Sequence, residues 1–309
     1  MERQGDRKKA WKVAAGILCV LVLGLQGASE GAAGVVLDYY GQISIDKSVL
    51  QTTGRIAVGG DGTLYVMDGY RSSILKIARD GNYLGDLRVP EVSAVAAAPD
   101  GTLYIGSHKD FSVAIYRGGV IVGKLGRGAN EFSSIRDIAV DAFTGNVLVV
   151  DNAGNAVRIF DGAGAELKTV TDVKLPVGVA VTDRQIVVLD APVAPDGTTM
   201  SRISIFDRNF RLVRTVEEFG ADPKMVRPTD IVASADGIFV TDAALKAVVV
   251  YDAGGSYVGK VQGVRNDLRT AVSLALSEEG MLYVASSETS TVELFAINGA
   301  GLDSGPAGK

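Results

Sequence analysis

Polar residues that directly precede short apolar runs are the first candidates for chemistry in this chain. Arg136 and Asp137 stand before IAV, and Asp230 stands before IVA. These residues are candidates for a polar cluster, and carboxylate oxygens can bind a hard cation such as calcium. The same three residues would equally suit a structural ion pair, and both interpretations stay open.

Other candidates lie in polar segments that follow apolar runs. An aromatic–arginine pair could contact a ligand or serve only the fold, and asparagines could cap loops through side-chain hydrogen bonds. His108 is the only histidine of the chain and is expected to be solvated, since charged residues follow it. These candidates are Tyr70 and Arg71 in DGYRSS, His108, Lys109 and Asp110 in SHKDFS, and Asn152 and Asn155 in DNAGNA.

The composition leaves little material for several common catalytic sets. One histidine and one cysteine, Cys19 within an apolar run, do not supply the ligands that zinc prefers. A serine or cysteine triad would have to use His108, whose charged surroundings do not suggest one. Four aspartates recur at equivalent positions, which favours a repeated structural hydrogen bond over one catalytic centre. They are Asp68, Asp151, Asp190 and Asp242.

These candidates recur because the chain contains six copies of one sequence repeat. DGTLYVMDGYRSSILKI at 61–77 is nearly repeated as DGTLYIGSHKDFSVAIY at 100–116. The hydrophobic anchor of this phrase recurs at spacings of 39, 44, 39, 52 and 44 residues, at Leu64, Leu103, Val147, Ile186, Ile238 and Leu282. Periods of about 40–50 residues built from short strands are typical of propellers.

Each unit divides into four strands. An apolar run such as DIAV at 137–140 suits a strand that is buried on both faces near the axis. Aspartate–glycine turns, as in APDG at 98–101, lead to the second strand, and alternating segments such as NAVRIF indicate a third strand with one solvated face. The sixth unit lacks a fourth strand, and VLDYYG at 36–41 is predicted to supply it.

The sequence therefore predicts an all-β fold, a six-bladed β-propeller of four-stranded antiparallel blades whose last blade is closed by the N-terminal strand. The chain has 309 residues, of which 38 are glycine and 47% are hydrophobic, and residues 35–300 are assigned to this domain. Residues 301–309 are expected to form a flexible C-terminal tail, because they are rich in glycine.

The first residues differ from the rest of the chain. MERQGDRKKAWK is basic, VAAGILCVLVLGL is apolar and QGASEGAAG is rich in small residues. This order is typical of a secretory signal peptide, predicted over residues 1–29 with cleavage between about 27 and 33. An uncleaved anchor is disfavoured because the apolar run is shorter than the roughly 20 residues that span a bilayer. The protein is expected to be exported, periplasmic or extracellular, with no stable membrane span after cleavage.

The segment KLGRGANEFSSIRDIAVDAFTGNVLVVDNAGNAVRIFDGAGAELKTV at 124–170 resembles a complete NHL repeat. Its glycine-rich approach, Phe132, IAVD, VVD, an asparagine and VRIFD follow the pattern of that family. The resemblance covers about residues 54–300, but it departs at Ile135, where a proline is usual, and in an insertion in the fourth unit. It implies a six-bladed propeller, whereas a WD40 propeller is a poor alternative because Trp11 is the only tryptophan.

Two sets of loops must share one face of such a propeller, those between the second and third strands and those that lead into the next unit. They vary in length and chemistry, so this face is the predicted site of function. Propellers similar to NHL proteins serve mainly to recognise other macromolecules. The leading hypothesis is an exported, non-catalytic binding or scaffold module for a protein, peptide or glycan partner, without a cofactor.

Two further functions are considered. Six-bladed relatives include lactonases, so the resemblance allows a calcium-dependent lactonase-like hydrolase with Asn152, Asp137 and Asp230 as metal ligands. The glutamate that those enzymes place at the start of an early inner strand is absent, since Arg55 and Ser93 stand near those positions. Nucleic-acid binding is not expected, because the chain has a formal net charge of −5 and acidic residues interrupt its basic arc.

Overall fold

The computed structural model describes residues 35–193, 200–218, 224–262 and 271–298. Regular structure in these ranges consists of β-strands. The predicted signal peptide at 1–29, the tail at 301–309 and residues 194–199 of the fourth-unit insertion lie outside the described residues. Among the residues that are described, no helix is long and apolar enough to cross a membrane.

The strands in these ranges form six antiparallel sheets of four, and each sheet is one blade. The first strand, β1, spans Val36–Ser44. Blades 1 to 3 contain β2 Thr53–Val58, β3 Leu64–Asp68, β4 Ser73–Ile77, β5 Tyr83–Arg88; β6 Val92–Ala97, β7 Leu103–Ser107, β8 Ser112–Arg117, β9 Val120–Lys124; and β10 Ile135–Val140, β11 Val147–Asp151, β12 Ala156–Phe160, β13 Glu166–Val170. Blades 4 to 6 contain β14 Pro176–Val181, β15 Gln185–Asp190, β16 Ser201–Asp207, β17 Leu212–Glu218; β18 Pro228–Ala233, β19 Gly237–Asp242, β20 Ala247–Asp252, β21 Tyr257–Val261; and β22 Ala271–Leu276, β23 Met281–Ser286, β24 Thr291–Asn298 with β1.

The blades form a closed ring. The innermost strand of each blade contacts that of the next, and β22 of blade 6 returns to β2 of blade 1. A cluster of buried apolar side chains fills each gap between neighbouring blades. Strands near the axis therefore bury both faces, and all five residues of β11 are buried, whereas the outermost strand β9 is mostly exposed.

The N-terminal strand completes blade 6, as the sequence predicts. β1 pairs antiparallel with β24, so that Leu37 lies opposite Ile297 and Ile43 lies opposite Val292. Ile43 is 7% exposed and packs into the apolar cluster between blades 6 and 1. This pairing covers the edge of β24 and ties the two ends of the ring together through backbone hydrogen bonds. The predicted fold class is confirmed.

Each innermost strand begins before the apolar run predicted for it and continues through a bulge. The bulge interrupts its pairing with the second strand of the blade. β10 begins at Ile135, which lies opposite Asp151, whereas Asp137 lies opposite Val150. Arg136 therefore has no partner in β11. A bulge bends its strand and re-aims the side chains beside it, which is a frequent device next to functional sites.

Buried aspartates at the ends of second strands hold the variable loops in place. Asp242 accepts hydrogen bonds both from the segment that enters blade 5 and from the loop that follows β19. The donors are the backbone N–H groups of Val226, Arg227, Ala244 and Leu245. The aspartates that bind an entering segment in the same way are Asp68, Asp151 and Asp190. These loops and entering segments share one face of the ring, called the loop face below.

Candidate functional site

One position in each innermost strand contributes to a ring around the axis. It is the residue that directly follows the bulge and precedes the apolar triplet. From blade 1 to blade 6 this position holds Arg55, Ala94, Asp137, Gly178, Asp230 and Ser273. We call these six residues the axial ring. A β-carbon at position 178 would lie 2.9 Å from the side chain of Ile231, so the ring has room only for glycine there.

Arg55 crosses the axis. From blade 1 its guanidinium reaches blade 5, where Nη1 pairs with Oδ1 of Asp230, and blade 3, where the same nitrogen lies 3.5 Å from Oδ1 of Asp137. Nη2 donates a hydrogen bond of 3.1 Å to the carbonyl oxygen of Val177 in blade 4. Burial disfavours the charge of this side chain, but Asp230 and Asp137 outweigh that effect, and the pKa of Arg55 is raised above its ordinary value.

Asp230 is fully engaged. Its Oδ1 accepts hydrogen bonds from Arg55 and from the N–H of Ile231 at 2.9 Å. Its Oδ2 accepts the hydroxyl of Ser273 at 2.6 Å and the N–H of Leu274 at 2.8 Å. A carboxylate offers about four lone-pair positions, so the acceptor capacity of Asp230 is used up.

Asp137 is less well satisfied. Its Oδ2 accepts a hydrogen bond of 2.9 Å from the N–H of Val179, and the N–H of Ile138 is a further backbone donor. Its Oδ1 lies 3.5 Å from Nη1 of Arg55, which is long for a hydrogen bond. Burial raises the pKa of Asp137 to about 7; Arg55 opposes this shift and the charge of Asp230 adds to it. Near neutral pH this carboxyl group can therefore either hold or accept a proton.

Arg136 lies beside this carboxyl group and is exposed. Its pKa is lowered, first because the surrounding protein displaces bulk water and then because the positive charge of Arg55 is near, while Asp137 opposes the shift. Arg136 is thus exposed but has much protein around it, as a side chain at the mouth of a channel would. The structure thus brings together three of the predicted site residues, Arg136, Asp137 and Asp230.

Tyr70 and Arg71 do not join this cluster. Tyr70 is 75% exposed in the loop after β3. Arg71 donates hydrogen bonds of 2.8 Å and 2.6 Å to the carbonyl oxygens of Val49 and Ser48, in the segment that enters blade 1. These bonds give Arg71 a structural role, the alternative that the sequence left open.

His108 is half-buried, which corrects the expectation of a solvated histidine. Its Nε2 lies 3.0 Å from the carbonyl oxygen of Ile135, and its ring packs against Phe111 with 6.1 Å between centroids. The loop after β7 of blade 2 lies against the start of β10 in blade 3, a contact that the sequence of the loop does not reveal. His108 therefore anchors the residue that precedes Arg136.

The two residues after His108 have other surroundings. Lys109 is exposed. Asp110 accepts hydrogen bonds of 2.5 Å from Nζ of Lys124 and 2.8 Å from the hydroxyl of Ser112, and Lys124 holds the pKa of Asp110 below its usual value. Since Lys124 belongs to the outermost strand β9, Asp110 is directed away from the axial ring.

Asn152 and Asn155 fasten blade 3 to blade 4. Nδ2 of Asn152 donates a hydrogen bond of 2.9 Å to the carbonyl oxygen of Pro176, and Oδ1 of Asn155 accepts one of 2.9 Å from the N–H of Leu175. Asn155 also has a positive φ of 50°, a conformation that asparagine tolerates better than most residues. Both side chains therefore bind the backbone of the segment that enters blade 4.

The residues present do not fit the calcium site that the sequence allowed as an alternative. The described ranges contain no group of three or more histidine, cysteine, aspartate or glutamate side chains able to hold a metal. Calcium takes six to eight oxygen ligands. Here Asp230 has no free acceptor position, and the guanidinium of Arg55 lies between Asp230 and Asp137.

Sequence reasoning missed two members of the cluster. The sequence analysis named Arg55 only as a departure from the lactonase pattern, and it did not single out Ser273. Both stand directly before an apolar triplet, IAV at 56–58 and LAL at 274–276, as Asp137 and Asp230 do. Alignment of the six inner strands on that triplet would have placed all four in one ring.

Comparison with known proteins supports the fold. No protein-family model and no curated protein matches the chain. Among solved structures, a gluconolactonase of Xanthomonas campestris is similar with a TM-score of 0.62 and 16% identity, over 87% of this chain and 99% of that one. A virginiamycin B lyase of Staphylococcus aureus gives 0.57 and 10%, over 85% and 99%. The hydrazine synthase of Kuenenia stuttgartiensis gives 0.55 and 15%, over 82% and 97%.

These likenesses contradict the leading functional hypothesis. A non-catalytic scaffold is wrong as the main interpretation, because the three solved structures named above are a gluconolactonase, a lyase and a synthase. The lactonase-like hydrolase that the sequence offered as the alternative agrees with the gluconolactonase among them. The NHL family is not among the matches, and the comparisons together with the structure describe the chain as a six-bladed β-propeller.

Proposed function

We propose that this chain is a hydrolase that opens a lactone, or a comparable cyclic ester, at the mouth of the propeller channel. One observation carries the proposal: the poorly solvated carboxyl group of Asp137, with a pKa of about 7, lies beside the exposed cation of Arg136. A base that titrates near neutral pH next to a cation is a suitable pair for acyl chemistry. The structural likeness to a gluconolactonase gives further support.

Each residue has a defined task in this reaction. The carboxylate of Asp137 takes a proton from a water molecule as its oxygen adds to the lactone carbonyl carbon. Arg136 stabilises the negative charge that develops on the carbonyl oxygen. The ring C–O bond then breaks, and Asp137 returns the proton to the departing oxygen, so that lactone and water give one hydroxy acid.

The test is an assay of lactone opening by the full chain. A sugar δ-lactone and an unsubstituted δ-lactone are incubated with the protein, and the acid released is titrated at constant pH. Asp137→Asn is expected to lower kcat/KM by roughly 10²–10⁴-fold, the usual contribution of a general base. Lys109→Ala removes an exposed cation elsewhere on the loop face and is expected to keep the wild-type rate.

Two results would contradict the proposal. One is a rate for the wild-type chain no greater than that of the lactone in buffer. The other is an Asp137→Asn variant as fast as the wild type. A product with a new carbon–carbon double bond in place of a hydroxyl group would instead show elimination, the chemistry of a lyase.

We propose in addition that the repeats are of the NHL type and that the protein is exported. The segment 124–170 supports the first statement, and the basic, apolar and small-residue order of residues 1–33 supports the second. The expectations of a protein, peptide or glycan partner and of no nucleic-acid partner stay predictions.

A further inference from the structure

We propose that Arg55 is the built-in cation of the channel: it holds Asp137 and Asp230 in place of a divalent metal and thereby prevents metal from binding there. This inference goes beyond the proposed function and stands whichever reaction the protein catalyses. It follows from the geometry of the axial ring, the donors that surround each carboxylate and the balance of charge at the channel mouth.

The geometry comes first. Asp137 and Asp230 belong to blades 3 and 5, which are not neighbours, and one guanidinium nitrogen of Arg55 contacts an oxygen of each. The second nitrogen binds the carbonyl oxygen of Val177 in blade 4. Arg55, which belongs to blade 1, thus contacts blades 3, 4 and 5 across the axis. Two carboxylates and a carbonyl oxygen are ligand types that a hard cation prefers, and here they bind a guanidinium instead.

The donors around the carboxylates exclude a second cation. Asp230 already accepts hydrogen bonds from Arg55, Ile231, Ser273 and Leu274, so a metal would have to displace one of them. The side chain of Arg55 is 11% exposed, so its charge is held among protein atoms rather than in water. A divalent ion placed between Asp137 and Asp230 would meet that fixed charge at short range, where repulsion is strong.

The charge balance points the same way. Two arginines, Arg55 and Arg136, face two carboxylates at this position, so the cluster carries no excess negative charge to attract a cation. The two arginines repel each other, and the positive charge of Arg55 contributes to the lowered pKa of Arg136. Arg55 is therefore a positioning residue, which pairs closely with Asp230 and lies 3.5 Å from Asp137.

Metal titration tests the inference without any activity assay. The full chain is freed of metal with a chelator, and its melting temperature is measured with increasing calcium. The wild type is expected to show no change up to 1 mM calcium, to within about 1 °C. Arg55→Glu removes the cation and adds a carboxylate, and a gain of several degrees is expected because a ligand that binds only the folded state stabilises it.

Arg136→Glu is the matched control. It makes the same change of charge at the same channel mouth but leaves Arg55 paired with Asp230, so it is expected to gain no calcium dependence. Equal responses of the two variants would mean that only net charge matters and would overturn the inference. So would a wild-type protein whose melting temperature rises with calcium and loses that rise in Asp230→Asn.

Three further variants separate the charge of Arg55 from its shape, and they test the inference even if Arg55→Glu fails to fold. Arg55→Met keeps much of the side-chain volume and is expected to lower the melting temperature by roughly 5–10 °C, since it strands two buried carboxylates. Arg55→Met with Asp137→Asn removes one of these charges, so Asp137→Asn should raise the melting temperature more in the Arg55→Met variant than in the wild type. Arg55→Lys should melt above Arg55→Met. An equal effect of Asp137→Asn in the two backgrounds, or equal melting of the Lys and Met variants, would show that Arg55 serves packing alone.

Discussion

At the scale of single residues, the cluster depends on a shortage of hydrogen bonds at one carboxylate. Asp230 has four donors, whereas Asp137 has the backbone N–H groups of Val179 and Ile138 and a guanidinium 3.5 Å away. Both side chains are buried, so the difference in partners decides which group can change its protonation state. The residue that the ring satisfies least is the one best suited to move a proton.

The raised pKa of Asp137 predicts a pH-dependent stability. The value of about 7 in the folded chain lies above the ordinary 3.8, so the stability linked to this group is present below about pH 4 and is lost as the pH rises through 7. Arg55, Arg136 and Asp230 are the charged groups that face it. Between pH 5 and pH 8 the wild type should lose about 2–3 kcal/mol of unfolding free energy relative to Asp137→Asn.

Urea unfolding of both proteins at the two pH values measures this difference, because groups other than Asp137 contribute equally to each. Stability curves that run parallel from pH 5 to pH 8 would mean that Asp137 titrates in the folded chain as it does in water.

At the scale of elements, each buried aspartate at the end of a second strand holds two segments of the loop face through its carboxylate. At Asp242 these are the segment that enters blade 5 and the loop after β19. Asp242→Ala should lower the free energy of unfolding by about 3–5 kcal/mol, because it removes a buried carboxylate that accepts four partly buried backbone N–H groups. Asp242→Asn should cost less, since the amide oxygen can keep part of the set. The measurement is chemical denaturation of each variant.

The control for this prediction is Asp61→Ala. Asp61 also accepts a backbone hydrogen bond, of 2.9 Å from Thr63, but it is exposed in the turn before β3. Water can replace an exposed acceptor, so this variant should lose less than about 1 kcal/mol. Equal losses at Asp61 and Asp242 would show that the buried aspartates do no more than shape their own turns.

The elements were predictable from the sequence because each strand leaves a local pattern. Apolar runs, aspartate–glycine turns and a regular period located the blades, and the missing fourth strand of the sixth unit pointed to residues 36–41. The site was predictable only in part. Asp137 and Asp230 were found, and the apolar triplet after Arg55 marks its position in the ring. Arg55 is 175 residues from Asp230, however, and their contact follows from closure of the ring.

At the scale of the whole molecule, the ring is closed in two ways, at its rim by β1 and across its axis by Arg55. Along the rim, eight residues of β1 find partners in β24. Across the axis, one side chain joins blade 1 to blades 3, 4 and 5. Rim closure involves far more backbone hydrogen bonds and buried apolar surface, so its loss should affect the whole domain.

A pair of truncations tests the closure at the rim. Deletion of residues 1–44 removes β1, exposes the edge of β24 and uncovers the apolar cluster that contains Ile43. The melting temperature should fall by roughly 10 °C or more, and the protein should associate, because an unpaired strand edge is a template for pairing with another chain. Deletion of residues 1–34 keeps β1 and serves as the control. If the two truncated chains melt at the same temperature and both stay monomeric in sedimentation, the ring is held by contacts between its blades and does not depend on the pairing of β1 with β24.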